Sequence, residues 1–184
     1  MEQSYLTSAI KQFEYYKSLG DKTIEQIPWE DLQKEFAEDS NSISIIVKHI
    51  VGNMLSRWTN FLTEDGEKEW RKRDEEFLDT FTSKAELLEA WNKGWNCLFE
   101  AIRPLATRDL DKVIYIRNQG HSVTEAINRQ MMHYAYHVGQ IVFIGKLVKG
   151  EKWKSLSIAK GKSKAYNKTK FNQDKSRRHF TDDL

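Results

Sequence analysis

The sequence predicts an all-α protein, a four-helix bundle, and three observations predict it. Only two prolines, Pro28 and Pro104, interrupt 184 residues, so few breakers oppose long helices. Four long segments carry apolar residues at three- and four-residue spacing, the period of one helix face. Two of those segments open on a Ser-x-x-Glu signature, in which the Ser and Glu side chains satisfy orphaned backbone N–H groups. With 39% hydrophobic and 30% charged residues, the composition suits a globular domain with a real core. Six Trp supply much of its volume.

The first helix is predicted over about residues 3–27, with Tyr5, Leu6, Ala9, Ile10, Phe13 and Tyr16 on one face and Gly20 as a point of interruption. Pro28 and Trp29 open an irregular link. The second helix starts near Asn41 or Ser42, both good N-caps. Its stripe is Ile43, Ile46, Val47, Ile50, Met54, Trp58 and Phe61, ending near Leu62. The charged stretch 64–76 reads as a loop or a short exposed helix. The third helix begins at the Ser83–Glu86 capping box and runs through Leu87, Trp91, Trp95, Leu98 and Ile102 to Pro104. Beside that stripe, Ala90, Gly94, Cys97 and Ala101 form a row small enough for another helix to approach closely.

Residues 113–117, Val-Ile-Tyr-Ile-Arg, are β-branched and aromatic, and Asn118-Gln119-Gly120 reads as a turn, so a short extended segment precedes the last helix. Ser122–Glu125 is the second capping box. It launches the fourth helix through Ile127, Met131, Tyr134, Val138 and Ile141, stopped by Gly150. The long 63–82 connection suits a crossover between helices that are not hairpin neighbours. The reading divides the chain into a helical domain, residues 1–167, and a polar basic tail, 168–184, with too little to bury to be ordered.

Net charge is +2, unevenly placed: residues 149–184 hold 11 Lys/Arg against four Asp/Glu, and residues 1–148 hold 18 against 23. Basic residues in that stretch invite nucleic acid as a partner. Few aromatics interleave with them, so a solvated tail is the preferred reading. No apolar run approaches the roughly 20 residues that span a bilayer, and Met1–Tyr5 lacks the start of a signal peptide. Cys97, the sole cysteine, excludes an internal disulfide and a cysteine-based metal cage. A cytoplasmic address follows as an expectation.

His133 and His137 stand four residues apart on the fourth helix, where imidazoles on one face converge on one ion. Tyr134 occupies the Glu position of His-Glu-x-x-His, which disfavours a zincin-type protease. Gln130 and Gln140 extend the same row. On the second helix His49 lies beside the apolar stripe, one turn before Asn53. It completes a three-imidazole site if the two helices face one another. His121 is read as a turn or helix-start residue and His179 as solvated. Cys97 and the stripe Trp91, Trp95, Phe99 are read as packing. No Gly-rich phosphate loop or Ser-centred nucleophile elbow is present.

Three stretches carry a resemblance. Residues 117–123 (Arg-Asn-Gln-Gly-His-Ser-Val), Glu125–Gln130 and His133–Ile141 look like the last bundle helix of the DinB/YfiT-like superfamily. Residues 42–50 with Asn53, Met54, Arg57 and Trp58 resemble its second helix. Leu156–Ser163 with Tyr166 and Asn167 resemble the closing segment of one bacterial branch. The resemblance implies a four-helix bundle with one divalent metal ion held by His49, His133 and His137, and it implies homodimers.

Three neutral imidazoles leave the charge of the ion uncompensated and at least one position open, the mark of a reactive site. A thiol or water there has its pKa lowered. Relatives in the resembling superfamily use bacillithiol or mycothiol, so the leading expectation is a metal-dependent thiol S-transferase acting on an electrophilic small molecule. A metal-dependent hydrolase and a non-enzymatic metal-binding stress-response protein are the alternatives. An all-imidazole set suits Zn or Ni, with Fe and Cu behind them. Asn53, Arg57, Arg129, Gln130 and Gln140 are candidate polar neighbours. Arg129 reads equally as an exposed partner of Glu125.

Overall fold

A computed structural model describes residues 4–182. The first three and last two residues of the predicted domain and tail lie outside it. The chain is mostly helical: α1 (Ser4–Gln26), α2 (Trp29–Leu32), α3 (Ile43–Trp58), α4 (Lys84–Ile102), α5 (Val123–Lys149) and α6 (Ser163–Phe171). One small antiparallel sheet, β1 (Val113–Ile116) with β2 (Gln119–Ser122), precedes α5. No helix among the described residues is long and apolar enough to cross a membrane.

The four long helices close a ring around one core: α1 packs on α5 and α4, and α3 packs on α4 and α5. Phe13, Ile24, Ile50, Met54, Trp91, Trp95, Leu98, Tyr134 and Ile141 are buried between them. Gly94 fulfils the small-residue expectation, since a Cβ there would stand 3.2 Å from the Val51 Cα. Gly20 does not interrupt α1. It leaves room for the Trp91 ring, which a Cβ would strike. That ring is anchored by its Nε1–H, which donates to Asp21 Oδ1 at 2.6 Å.

The caps form at the predicted serines. Ser42 Oγ accepts from the Ile45 N–H at 3.1 Å, and Ser122 and Glu125 make the reciprocal box. At α4 only half of the box forms. Ser83 accepts from the Glu86 N–H, but the Glu86 carboxylate turns back to the N–H and hydroxyl of Thr82, both at 2.8 Å. α3 stops at Trp58, earlier than its apolar stripe suggests. Asn60 adopts a left-handed φ of 49°, a conformation Asn tolerates, and reverses the chain.

The sheet turns one residue earlier than expected. Arg117 and Asn118 both take positive φ, 55° and 61°, the pair of values a two-residue type I′ hairpin requires. Asp65 holds this turn from outside: its carboxylate accepts the N–H groups of Arg117 and Asn118, each at 2.8 Å.

Two further regions make contacts that the sequence does not announce. The 64–76 stretch is not simply an exposed charge run. It ends in a 3₁₀ turn, Arg73–Phe77, against α3, and Lys68 and Glu76 are buried. The tail carries α6, and beyond it the chain returns to α1. There His179 meets Ser8 Oγ at 3.2 Å, Phe180 packs edge-on against Tyr15, and Asp182 pairs with Lys11. One ion pair, one hydrogen bond and one aromatic contact join the tail to α1.

Candidate metal centre

α3 and α5 face one another, and three histidines from the middle of the two helices meet there. One ring nitrogen from each of His49, His133 and His137 lies within 4.8 Å of the others. His133 and His137 share a face of α5 because they are one helical turn apart. Their Nε2 atoms are 3.1 Å apart. Two nitrogens bound at 2.0–2.1 Å to a tetrahedral ion stand about 3.3 Å apart, so the pair already has the spacing of two ligands.

Partners on the far side of two rings fix which nitrogen is left over. His49 Nδ1 donates to Glu76 Oε2 at 3.0 Å, and His137 Nδ1 donates to Gln140 Oε1 at 2.7 Å. In a neutral imidazole the Nε2 of each is then an unprotonated lone pair, the form that ligates a metal. A carboxylate behind a ligating His both orients the ring and raises its basicity. Glu76 is itself held by Arg71, whose Nε and Nη2 donate to its two oxygens at 2.7 and 2.9 Å. Phe77 stacks on the His49 ring with centroids 5.1 Å apart.

The electrostatics favour neutral rings at His133 and His137. Burial, then the neighbouring His137 and His49, push His133 down to about 3, and burial also lowers His137. Burial alone would raise the Glu76 carboxyl, but His49 and Arg71 outweigh it and keep it below the ordinary carboxylate range. An anion therefore stands behind the cluster and unprotonated nitrogens stand in front, an arrangement that fits a divalent cation.

The polar neighbours sort themselves. Asn53, Arg57, Arg129 and Gln130 line one cavity together with His49 and His133. Asn53 is oriented by a buried chain: Trp58 Nε1–H donates to the Tyr134 hydroxyl, which donates to Asn53 Oδ1, each at 3.1 Å. Arg129 does not pair with Glu125, because that carboxylate closes the α5 capping box instead. Cys97 lies elsewhere, half-buried between α4 and the end of α3, its thiol pushed up by burial. His121 sits on β2, outside the cluster.

Sequence reasoning missed Glu76, Arg71 and Phe77, since a run of charges resembles solvated chain. One signal was available. Gly52 follows His49 by three residues on the same face, and a Cβ there would strike the Glu76 carboxylate. A gap beside a candidate ligand is room for something to reach it.

The family model of DUF1572, described as a protein of unknown function, matches residues 1–162, and the chain belongs to that family. No curated protein and no solved structure matches the chain.

Proposed function

We propose that this DUF1572 protein binds one divalent metal ion through His49, His133 and His137 and acts as a metal-dependent thiol S-transferase. The observation that carries the reading is a converging three-imidazole cluster, backed by Glu76 and opening on a polar cavity. The likeness of 42–58 and 117–141 to the DinB/YfiT-like superfamily supports both the bundle type and the thiol chemistry. Zn or Ni is proposed ahead of Fe or Cu.

When bound, such a cation supplies Lewis acidity that lowers the pKa of a thiol at its open position. The chain's own residues set the geometry. Glu76 and Gln140 hold two rings, Phe77 covers one face of His49, and Asn53 presents a fixed amide to the cavity. In the transfer, the thiol releases its proton to solvent water, its sulfur bonds to an electrophilic carbon, and the leaving group departs with the electron pair of its broken bond. A homodimer is proposed as well. Met132, Tyr136, Phe143 and Leu147 form an exposed apolar row on α5, between 52% and 68% exposed, that a second copy would cover.

Protein purified without chelator should contain close to one divalent ion per chain by elemental analysis. His133→Ala and His137→Ala should each lose most of it, because two remaining ligands bind far less well. Full metal content in both variants overturns the site. With cobalt loaded, a small thiol should produce a sulfur-to-cobalt absorption band. No spectral change at high thiol, with cobalt demonstrably bound, overturns thiol transfer and leaves hydrolysis or a non-catalytic metal-binding role.

A further inference from the structure

The cavity beside the imidazoles has a volume of about 240 Å3 and is lined by Arg57, Arg71, Arg73, Arg117 and Arg129, with no Asp or Glu in its wall. That is smaller than a drug-sized pocket and suits a compact metabolite. Five guanidinium groups around so small a space need anions.

The protein supplies too few. Glu76 answers Arg71. A single oxygen of Glu67 serves Arg57 and Arg117 at 3.1 Å and Arg71 at 3.6 Å, so three cations share one carboxylate. The nearest carboxylate oxygen to Arg73 belongs to Asp74, 4.0 Å away and fully exposed. Arg129 has no hydrogen bond or ion pair to any described residue. Two further atoms in the same wall are orphaned. Gln130 is 3% exposed and its Oε1 has no donor, and Arg57 Nε is buried without an acceptor. Buried polar atoms without partners are rare in folded proteins, and a cluster of them in a cavity marks a place where a ligand supplies the missing bonds.

We propose that this cavity is an anion subsite, taking a small carboxylate- or phosphate-bearing molecule. Arg129 and Arg73 capture the anionic group, while Gln130 Oε1 accepts from a hydroxyl or amine on the same molecule. Guanidinium groups bind both oxyanions through paired N–H donors, which explains why arginines rather than lysines line the wall. The proposal deepens the metal reading by naming the substrate class of that site. It rests on that reading only for which end of the molecule faces the imidazoles.

The test is isothermal titration calorimetry at low ionic strength with two probes, inorganic phosphate and succinate, on metal-free and on metal-loaded protein. Metal-free protein should bind at least one probe, because the arginines are in place without the ion. Phosphate-only or succinate-only binding identifies the anionic group. Arg73→Gln/Arg129→Gln should weaken binding about tenfold or more, as the loss of charge-assisted hydrogen bonds does. Both side chains are exposed, so the variant should keep the wild-type circular dichroism melt and metal content. Affinity unchanged in the double variant, or no binding of either probe, overturns the subsite. Anion binding by a protein that takes up no divalent ion when one is supplied would overturn the metal reading alone.

Discussion

Between α1, α4 and α5, Trp95 meets Trp91, Phe13 and Tyr134 with ring centroids 5.4, 6.5 and 5.8 Å apart, in edge-to-face contacts. At the polar pole between α3 and α5, midway along both helices, His49, His133 and His137 meet at similar centroid distances, 4.7 to 5.6 Å, also edge-on. The geometries match and the energetics do not. The tryptophan layer is stabilised by area removed from water, which is nondirectional and tolerant of detail. It even contains a buried Trp95 Nε1 with no acceptor. The histidine pole holds ionisable groups whose burial is unfavourable unless each is partnered. There, truncating one group removes a partner from the next: Glu76 loses one hydrogen bond without His49, and Arg71 without Glu76 keeps only Glu67 at 3.6 Å. The lesson is that damage to the first region appears as lost stability, and damage to the second as lost ligand.

Trp95→Ala should break the first region most severely. Removing a fully buried indole should lower the unfolding free energy by about 3–5 kcal/mol in urea titrations. Metal content at temperatures where the variant is folded should stay at the wild-type level. A parallel loss of metal would show that the two regions are one unit. Glu76→Gln should do the reverse and weaken metal binding about 10- to 100-fold in competition with a chelator, the usual effect of removing a partner behind a ligating His. Unchanged affinity would reduce Glu76 to a counter-ion for Arg71.

Acid should separate the regions without mutation. His133 has a folded pKa near 3, while the unfolded chain titrates near the ordinary 6.5. The unfolded state therefore binds protons first. The stability this group contributes is complete above about 6.5 and is lost as pH falls toward 3. Glu76, also lowered, acts in the same direction. Denaturant midpoints of metal-free protein should fall between pH 7 and pH 5, and less so in His133→Gln. The smallest expected effect belongs to neither region. Ser122→Ala, at the head of α5, should cost about 1 kcal/mol, measured by the same urea titration with metal stoichiometry intact.

The tryptophan layer was legible in sequence because helical periodicity and residue size report on it directly. Leu87, Trp91, Trp95 and Leu98 announce their face, and Ser42, Ser83 and Ser122 announce where three helices begin. His49, His133 and His137 were legible as residues but not as an arrangement, since His49 meets the others only through the packing of α3 on α5. Glu76 and Arg71 were hidden. Nothing local distinguishes them from Glu75 and Arg73, which are exposed, and only the docking of 63–82 onto α3 selects between them. The contacts of the tail were hidden for a related reason. Hydropathy counts apolar area, whereas His179, Phe180 and Asp182 are held by contacts with Ser8, Tyr15 and Lys11 at the other end of the chain.

The grip of Asp65 on the Arg117–Asn118 turn has a kinetic consequence. It ties the connection that carries Glu76 to the hairpin that leads into α5, and so couples segments far apart in sequence. Helices with local contacts form quickly, but loop closure over such separations is slow and late. A chain in which the connection has not settled on α3 lacks the carboxylate behind His49. A metal ion, which needs the finished pole, then binds native chains and not their precursors. Added metal should slow unfolding and leave the initial folding rate unchanged, as expected of a ligand that acts after the transition state.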